Sequence, residues 1–364
     1  MRFSVFLTAR STGPDEDRQV MLEMADHAVE ADKLGFAAVF LPDHHFTGYA
    51  PPASDPMMFA SYLAAKLQQA YLGFSVQTVP LHHPVRFAER LALLDQLTSG
   101  RMLVGVGSGT TPEESIGFGI NFQDTSGISQ ENLAIVEQLW AKRPGDDPVV
   151  FDTGHYQGAV VSRIVPEPYT RPVPRMMSVA LRPSSVERAA AKAQPAFIHA
   201  FTPPDIGPPD PFAHFCRHFT AYRSALEAAG HPDEVVRDCL SWTTRTYQFV
   251  HLANTDEQAR EELEYLLGRY QECIEREHVA NKEAEKISGV ELHEAPDARS
   301  EGYIRTWCLY GSPETVAEQL RAYAGLGVGN VLGSFTGGPL DERRRKLTEQ
   351  AMTLFANDVM PRFS

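Results

Sequence analysis

The chain has 364 residues, of which 43% are hydrophobic and 22% are charged, as in a globular protein with a full core. Its formal net charge of −14 argues against a surface that binds nucleic acid or an anionic membrane, because such surfaces are rich in Lys and Arg. The four cysteines include no pair at CxxC spacing, and the apolar start at 3–7 is too short for a signal sequence or a membrane span. We therefore expect a cytoplasmic protein with reduced, mostly structural thiols and with no nucleic-acid or membrane partner.

Strands and helices alternate along the chain. Short apolar runs that end near Gly, Pro or polar residues predict eight strands. The predicted strands are 3–7, 37–41, 72–79, 102–106, 176–180, 196–200, a segment within 240–250, and 330–332. Apolar residues at helical spacing predict the helices between them. These are about 18–34, a helix ending near 69, one from Pro84 to Gly100, 131–140, 184–193, 212–229, a helix from about 256, 313–326, and 341–355.

This alternation indicates a parallel α/β sheet with right-handed crossovers. Closing the sheet gives a (β/α)8 TIM barrel, one of the few single domains that commonly reach this length. An open, doubly wound sheet is the competing fold, but no GxGxxG motif follows the first strand. We predict one TIM-barrel domain over 1–364, with insertions. A Pro-rich hairpin excursion is expected at about 144–174, and a long functional or mobile loop at about 275–301.

The third strand–helix unit carries His-His-Pro at 82–84. A metal site there needs further ligands at suitable spacing, and none is evident in the sequence. Pro84 is tolerated in the first helical turn, because the N–H that it lacks has no partner at that position. We interpret His82 and His83 as residues that shape the turn into the helix.

Five segments of the chain, taken in order, resemble the bacterial luciferase-like, flavin-dependent monooxygenases. They are Leu-Pro-Asp-His-His-Phe at 41–46, Leu-His-His-Pro-Val-Arg at 81–86, Leu-Asp-Gln-Leu-Thr-Ser-Gly-Arg at 94–101, Gly-Ser-Pro-Glu-Thr-Val at 311–316, and Asn-Asp-Val-Met-Pro at 357–361. The resemblance implies a TIM barrel with a flavin at its C-terminal mouth. It also implies FMN that is delivered in reduced form by a separate reductase, with dioxygen as co-substrate. A peroxyflavin is then expected to oxidise a small organic substrate that is apolar, aromatic or a carbonyl compound.

His44 follows strand two, on the face where barrel enzymes carry their catalytic residues. The resemblance implies an active-site histidine at this position, and an imidazole can exchange protons near neutral pH. A structural hydrogen bond within a loop is the alternative role. Asp43 is interpreted either as the residue that orients His44 or as a cap of the following turn, and His45 as a structural residue.

The resemblance also implies a set of flavin-binding residues. A non-proline cis peptide of the family would fall between Ser75 and Val76, below the isoalloxazine ring. The luciferases carry an arginine after strand four, where this chain has Ser108, and a second arginine is replaced around 125–126. The end of strand five and the start of its helix are then expected to bind the FMN phosphate, with Arg182 restoring the lost charge. The residues predicted there are Ala180, Arg182, Ser184 and Ser185, with an N-cap as the alternative role of Ser184.

Without both arginines, we expect weaker FMN binding or a different flavin. A deazaflavin-dependent oxidoreductase of the same superfamily and a non-catalytic flavin-binding subunit are therefore alternative functions. The resemblance implies that 275–301 is a lid that excludes water, and that helices around strands two and three form a homodimer. Tyr49, Met57 and the 203–211 loop are expected to line a pocket for an apolar or aromatic ligand. Trp242 and Tyr247 are further lining candidates, although core packing is the commoner role of such residues.

Overall fold

The chain forms a closed barrel of eight parallel strands in a computed structural model that describes residues 1–46, 51–109, 111–180, 182–198, 210–291, 296–339 and 341–363. Seven of the eight strands contain an apolar run identified in the sequence, and the seventh strand lies within the predicted segment 240–250. The strands are β1 (Arg2–Phe6), β2 (Ala38–Leu41), β3 (Tyr71–Thr78), β4 (Met102–Gly107), β5 (Met176–Val179), β6 (Ala196–Ile198), β7 (Thr244–Tyr247) and β8 (Asn330–Gly333). The predicted TIM barrel is confirmed, and the open-sheet alternative is wrong.

The barrel strands pair in chain order, and β8 closes the ring on β1. Ser4 of β1, for example, lies opposite Ala38 of β2 on one side and opposite Leu332 of β8 on the other. All eight pairings are parallel, so the carboxyl ends of the strands meet at one mouth of the barrel.

Helices follow the strands and cover the outside of the barrel. Within the described residues they are α1 (Pro14–Lys33), α2 (Pro56–Ala64), α3 (Pro84–Leu97), α4 (Pro112–Gly117), α5 (Thr125–Ala141), α6 (Pro183–Ala191), α7 (Pro211–Ala228), α8 (Asp233–Trp242), α9 (Asp256–Ser288), α10 (Glu301–Trp307), α11 (Pro313–Leu326) and α12 (Glu342–Leu354). Short 3-10 segments lie at Val79–Leu81, Phe122–Asp124 and Met360–Phe363, and a π-helical segment at Phe355–Val359. None of the described helices is both long and apolar enough to cross a membrane.

Large side chains fill the interior of the barrel. Phe40, Leu103, Met177 and Phe197 are fully buried there, and the Phe40 and Phe197 rings pack edge to face at 5.9 Å. Burial of each such side chain contributes about 1.5–3 kcal/mol of stability. Because the interior is packed, a ligand site must lie above these residues, at the mouth.

Short pairs of strands extend this framework. Val149–Asp152 and Gln157–Val160 form an antiparallel hairpin, so the predicted excursion within 144–174 is confirmed. The segment at 240–250 holds more than one strand: α8 ends at Trp242, β7 follows, and Phe249–Leu252 then pairs outside the barrel with Cys308–Gly311.

The 275–301 segment differs from the predicted loop, because α9 runs unbroken to Ser288. One face of the helix is buried through Cys273, Ile274, Glu277 and Ala284. The helix ends at Gly289, whose φ of 67° is the left-handed conformation that glycine adopts at no steric cost. Charged residues on the outer face masked the apolar spacing of the inner face. Residues 292–295 of the predicted lid lie outside the described part of the chain.

Candidate active site

His44 lies at the barrel mouth, just after β2, and is held by a buried carboxylate. Its Nδ1 is 3.0 Å from Oε1 of Glu114, which also accepts a hydrogen bond from the backbone N–H of His45 at 2.8 Å. Glu114 is 2% exposed and lies on α4, which follows β4. The His44 side chain is 32% exposed, so the imidazole lies between a buried anion and the open mouth.

This geometry sets the chemistry that His44 can perform. A carboxylate accepts but does not donate, so Nδ1 carries the proton and Nε2 is the nitrogen that can act as a base. The carboxylate also stabilises the imidazolium that forms when Nε2 takes a proton. The arrangement is therefore that of a histidine base with its orienting acid.

Asp43 serves neighbouring groups rather than His44. Its Oδ2 accepts a hydrogen bond from the Thr78 backbone N–H at 2.8 Å and lies 3.0 Å from Nε2 of His82. Its Oδ1 lies 3.3 Å from Nε2 of His45. Burial alone would raise the pKa of Asp43, but hydrogen bonds from His45 and His82 outweigh it and hold that pKa well below its usual range. The described partner of His44 is Glu114, whereas the described partners of Asp43 are Thr78, His82 and His45, so the role of Asp43 toward His44 remains a prediction.

The other histidines of the two His-His pairs are structural. Burial disfavours the charged form of His45, but the hydrogen bond and the negative charge of Asp43 prevail, so the pKa of His45 is raised. The His83 side chain caps α3 by accepting from the Val85 N–H at 3.3 Å. His82 contacts Asp43, which also accepts a hydrogen bond from Thr78 at the end of β3. The predicted turn-shaping role of His82 and His83 is confirmed.

A cavity opens at the mouth beside His44. Its described lining is largely aromatic or apolar, with a smaller polar group. The lining residues are Phe6, Thr8, Arg10, Pro42, His44, Pro51, Gln248, Phe249, Tyr270 and Gly337. They lie at or beyond the ends of β1, β2, β7 and β8 or on α9, so the cavity occupies the side of the mouth that these elements form.

The residues predicted to hold a flavin lie on another side of the barrel, within β3 or just beyond β4 and β5. The peptide bond between Ser75 and Val76 is cis, as predicted. Ser108 is half-buried just beyond β4, and Ala180 is fully buried just beyond β5. β4 approaches β3 closely: a Cβ on Gly107 would lie 2.7 Å from Cγ2 of Val76. The binding roles of these residues remain predictions.

The start of α6 differs in one respect from its predicted form, because Arg182 and not Ser184 is the N-cap. The Ser185 hydroxyl donates to the Arg182 carbonyl at 2.8 Å and accepts from the Arg182 N–H at 3.0 Å. Arg182 and Ser184 are both exposed. A guanidinium, a serine hydroxyl and a helix N-terminus therefore lie together at the mouth.

Several predicted pocket residues belong to the core instead. Met57 is buried among the residues between barrel and helices. Trp242 lies in the barrel interior cluster, where the Arg2 guanidinium stacks 4.5 Å from its ring. Tyr247 lies 4.1 Å beneath the Arg245 guanidinium, also in the core. Tyr49 and residues 203–209 lie outside the described residues.

Sequence reasoning missed Glu114, Arg10 and Tyr270. For Glu114 a signal existed, because Pro112 marks a helix start directly after β4, at the mouth. The sequence did not indicate Tyr270 because α9 is rich in charged residues. It did not indicate Arg10 because the Ala9–Arg10 strand is only two residues long.

Comparisons with known proteins agree with this architecture. The family model described as luciferase-like monooxygenase matches residues 1–330. The 4-hydroxyprotoasukamycin monooxygenase of Streptomyces nodosus subsp. asukaensis is 26% identical over 339 residues, which are 92% of this chain and 84% of that protein. An F420-dependent glucose-6-phosphate dehydrogenase of Kineococcus radiotolerans is 31% identical over 143 residues, 37% of this chain and 40% of that protein.

Solved structures show the same fold. The oxygenating constituent of 3,6-diketocamphane monooxygenase from Pseudomonas putida, a type II Baeyer–Villiger monooxygenase in complex with FMN, has a TM-score of 0.73 to this chain at 20% identity. The similarity covers 100% of this chain and 99% of that chain.

Proposed function

The chain belongs to the family of luciferase-like monooxygenases, and we propose that it uses reduced FMN and dioxygen to oxidise a small organic substrate. The observation that carries this proposal is the His44–Glu114 pair beside a cavity at the barrel mouth. A histidine with a buried orienting carboxylate is suited to proton transfer, and barrel enzymes carry out their chemistry at this face.

The residues at the mouth fit the phosphate of FMN. Arg182 supplies a charge that pairs well with phosphate, and Ser184 lies in the first turn of α6, where N–H groups and the helix dipole favour an anion. Ser75 and Val76 in β3 and Ser108 after β4 would lie along the flavin between this phosphate site and the cavity. Ala180 would contribute backbone at the end of β5. The complex of a protein of the same fold with FMN supports this choice of cofactor.

When bound, reduced FMN supplies the two electrons that activate dioxygen. The residues of this chain then position the substrate and move protons. His44 takes or returns a proton at Nε2, and Glu114 keeps the imidazole in the tautomer that this requires. Helix α9 packs against α4 and lines the cavity, which limits the access of water to the site.

The cavity lining favours an apolar or aromatic substrate. Phe6, Phe249 and Tyr270 present rings to the cavity, and Pro42 and Pro51 add apolar surface. Pockets of this kind bury the body of a ligand by hydrophobic contact and orient it through a few polar groups. We propose an aromatic or apolar compound, with a carbonyl as the group that undergoes oxidation.

The F420-dependent relative supports a second candidate, a deazaflavin-dependent oxidoreductase. The His44–Glu114 pair would serve hydride transfer as well, so the cofactor distinguishes the two functions. A non-catalytic flavin-binding subunit is disfavoured, because a role in binding alone does not require a histidine base with its own carboxylate.

Two partners complete the proposal. A separate reductase supplies reduced FMN, and a second copy of the chain covers an apolar surface on α2 and α3. Met58, Tyr62, Leu93 and Leu97 on these two helices are 71%, 45%, 49% and 54% exposed, which is costly for an isolated surface and typical of an interface. The four free cysteines are consistent with a cytoplasmic protein.

Anaerobic titration tests the choice of cofactor. Reduced FMN, oxidised FMN and reduced F420 are each titrated into the full chain, with binding followed by isothermal titration calorimetry. The proposal expects saturable, stoichiometric binding of reduced FMN and weaker binding of reduced F420. Tight binding of F420 together with no binding of reduced FMN would establish the second candidate and refute the first.

A further inference from the structure

The polar end of the cavity contains a buried arginine. Arg10 is 8% exposed and lies on the short Ala9–Arg10 strand, which pairs with Gly338–Pro339 and so fixes its backbone at the rim. Among the described lining residues, Arg10 is the only one with a permanent positive charge, and none is a carboxylate. A buried cation that lines a largely aromatic or apolar cavity is expected to contact the ligand.

Two side chains of helix α9 contact the Arg10 guanidinium. Glu277, which is 5% exposed, forms an ion pair with Arg10. Tyr270 lies two turns earlier on the same helix, with its ring centroid 4.9 Å from the guanidinium carbon and its hydroxyl 3.5 Å from Nη2. The Tyr270 ring in turn packs edge to face on Phe249 at 5.0 Å. These contacts fix the orientation of the guanidinium at the cavity wall before a ligand arrives.

The cavity lies on the side of the mouth opposite the proposed flavin-binding residues. The proposed flavin residues lie within β3 or just beyond β4 and β5, whereas the Arg10 end of the cavity lies by β1 and β8. In a barrel whose strands are ordered around the ring, these groups face each other across the mouth. Arg10 is therefore placed to meet a substrate, not the FMN phosphate.

We propose that Arg10 determines substrate specificity by donating hydrogen bonds to a neutral acceptor oxygen, such as a ketone, on a flat aromatic substrate. Glu277 acts through Arg10 as a positioning residue. This inference rests on the proposed function, since it assigns a substrate class to the same site. It adds a selection rule: a neutral carbonyl is bound in preference to a carboxylate of the same shape.

The preference for a neutral carbonyl over a carboxylate follows from charge. Arg10 and Glu277 together are neutral, so a ketone oxygen adds no charge to the buried site. A carboxylate would place a second anion near Glu277, in surroundings where water screens charge poorly and where the loss of carboxylate hydration is costly. Glu277 thus makes a site that contains arginine unfavourable for anions, which are otherwise the preferred partners of arginine.

Two naphthalene probes of nearly the same shape test the rule. 2-Acetylnaphthalene carries a neutral ketone, and 2-naphthoate carries a carboxylate that is ionised at neutral pH. Dissociation constants are measured by equilibrium dialysis on the full chain, with and without oxidised FMN, for the wild type, Glu277→Gln and Arg10→Met. Arg276→Met is the matched control, because Arg276 lies on the same helix and is exposed, with Nη1 donating to the Thr12 carbonyl.

The wild type is expected to bind the ketone at least about tenfold more tightly than the carboxylate. Glu277→Gln should lower this ratio about tenfold or more, mainly by tightening the binding of naphthoate. Arg10→Met should weaken the binding of the ketone about tenfold, and Arg276→Met should change neither constant by more than about twofold. A merely structural role of the ion pair would weaken both probes together and leave their ratio unchanged.

Three results would overturn the proposal. They are a wild type that binds the carboxylate as tightly as the ketone, a wild type that binds neither probe, and a Glu277→Gln ratio equal to that of the wild type. If Arg10→Met does not fold, the Glu277→Gln ratio decides alone. The assay involves no oxidation, so a failure of the proposed monooxygenase activity appears separately, in the reaction with reduced FMN and dioxygen.

Discussion

Replacing Asp43 by Asn tests the account of the buried network beneath His44. The substitution keeps the shape of the side chain but removes its negative charge. The carboxylate accepts a hydrogen bond from the Thr78 N–H, contacts His82 at hydrogen-bond distance and forms an ion pair with His45. An amide has one acceptor oxygen, so at least one hydrogen bond to a charged group is lost, at a cost of about 1.5–3 kcal/mol. Asp43→Ala removes every acceptor and should cost about 3–5 kcal/mol, as expected when a buried pair loses one partner.

These costs convert into modest shifts of the melting temperature. Unfolding entropy scales with chain length, and for 364 residues the shift is about 1.3 °C per kcal/mol. Asp43→Asn should therefore lower Tm by about 2–4 °C, and Asp43→Ala by about 4–7 °C. The shifts are measured by circular dichroism at a fixed scan rate.

The pH dependence of the Asp43→Asn effect follows from the direction of the two pKa shifts. The lowered pKa of Asp43 gives stability that is present above its unfolded pKa, about 3.9, and lost as the pH falls through the folded pKa. The raised pKa of His45 gives stability that is present below its unfolded value of 6.5 and lost as the pH rises through the folded pKa. The Tm difference between wild type and Asp43→Asn should therefore be largest between about pH 4 and pH 6.5 and smaller at about pH 8.5.

Asp95→Asn is the matched control for the pH profile. Asp95 is equally buried, but it accepts from the Thr170 N–H and hydroxyl and has no histidine partner in the described structure. Its Tm cost should stay level between about pH 5.5 and pH 8.5. A Tm difference for Asp43→Asn that is level, or that grows with rising pH, would refute the reasoning about His45 and Asp43.

Three further predictions concern the proposed function. Glu114→Gln should lower the rate of substrate oxidation about 10- to 100-fold, with FMN affinity unchanged, because the His44 imidazolium loses its charged partner. Steady-state kinetics with reduced FMN test this expectation. An equal loss of rate in Glu113→Gln would contradict it. Arg182→Gln should weaken FMN binding about tenfold and leave riboflavin binding unchanged, because only FMN carries the phosphate. Arg188→Gln, in the last turn of the same helix, should bind FMN as the wild type does, and fluorescence titration compares the two variants. Leu97→Asp should convert a dimer to a monomer in sedimentation velocity, because it places a charge on the exposed apolar face; a wild type that is already monomeric would refute the interface.

The barrel was predictable because its signals are local. Every barrel strand except β7 coincides with a short apolar run. Pro84 marks where α3 begins, and Gly100 marks the turn after it. Helix α9 was not predictable in full. Its buried residues Cys273, Ile274 and Glu277 form a narrow face in a segment otherwise rich in charge, and tertiary packing decides its state there.

The candidate site could be predicted only in part. His44 follows from a motif and from its place after β2, and the cis bond at Ser75–Val76 follows from the family resemblance. Its partner Glu114 lies 70 residues away in sequence, so only the closure of the barrel brings the two together. The contact between Asp43 and His82 was not predictable for the same reason, because the two residues are 39 positions apart and only the fold brings them together.

An oxygen pulse tests the proposed reaction of the chain with reduced FMN and dioxygen. The full chain is mixed anaerobically with stoichiometric reduced FMN and then with dioxygen in a stopped-flow spectrophotometer. We expect the flavin to be reoxidised on the protein through a long-lived species whose absorbance matches neither reduced nor oxidised flavin. The lifetime of this species should be shorter in Glu114→Gln than in Glu113→Gln. Reoxidation at the rate of free reduced FMN, with no distinct absorbance and no effect of Glu114→Gln, would contradict this expectation.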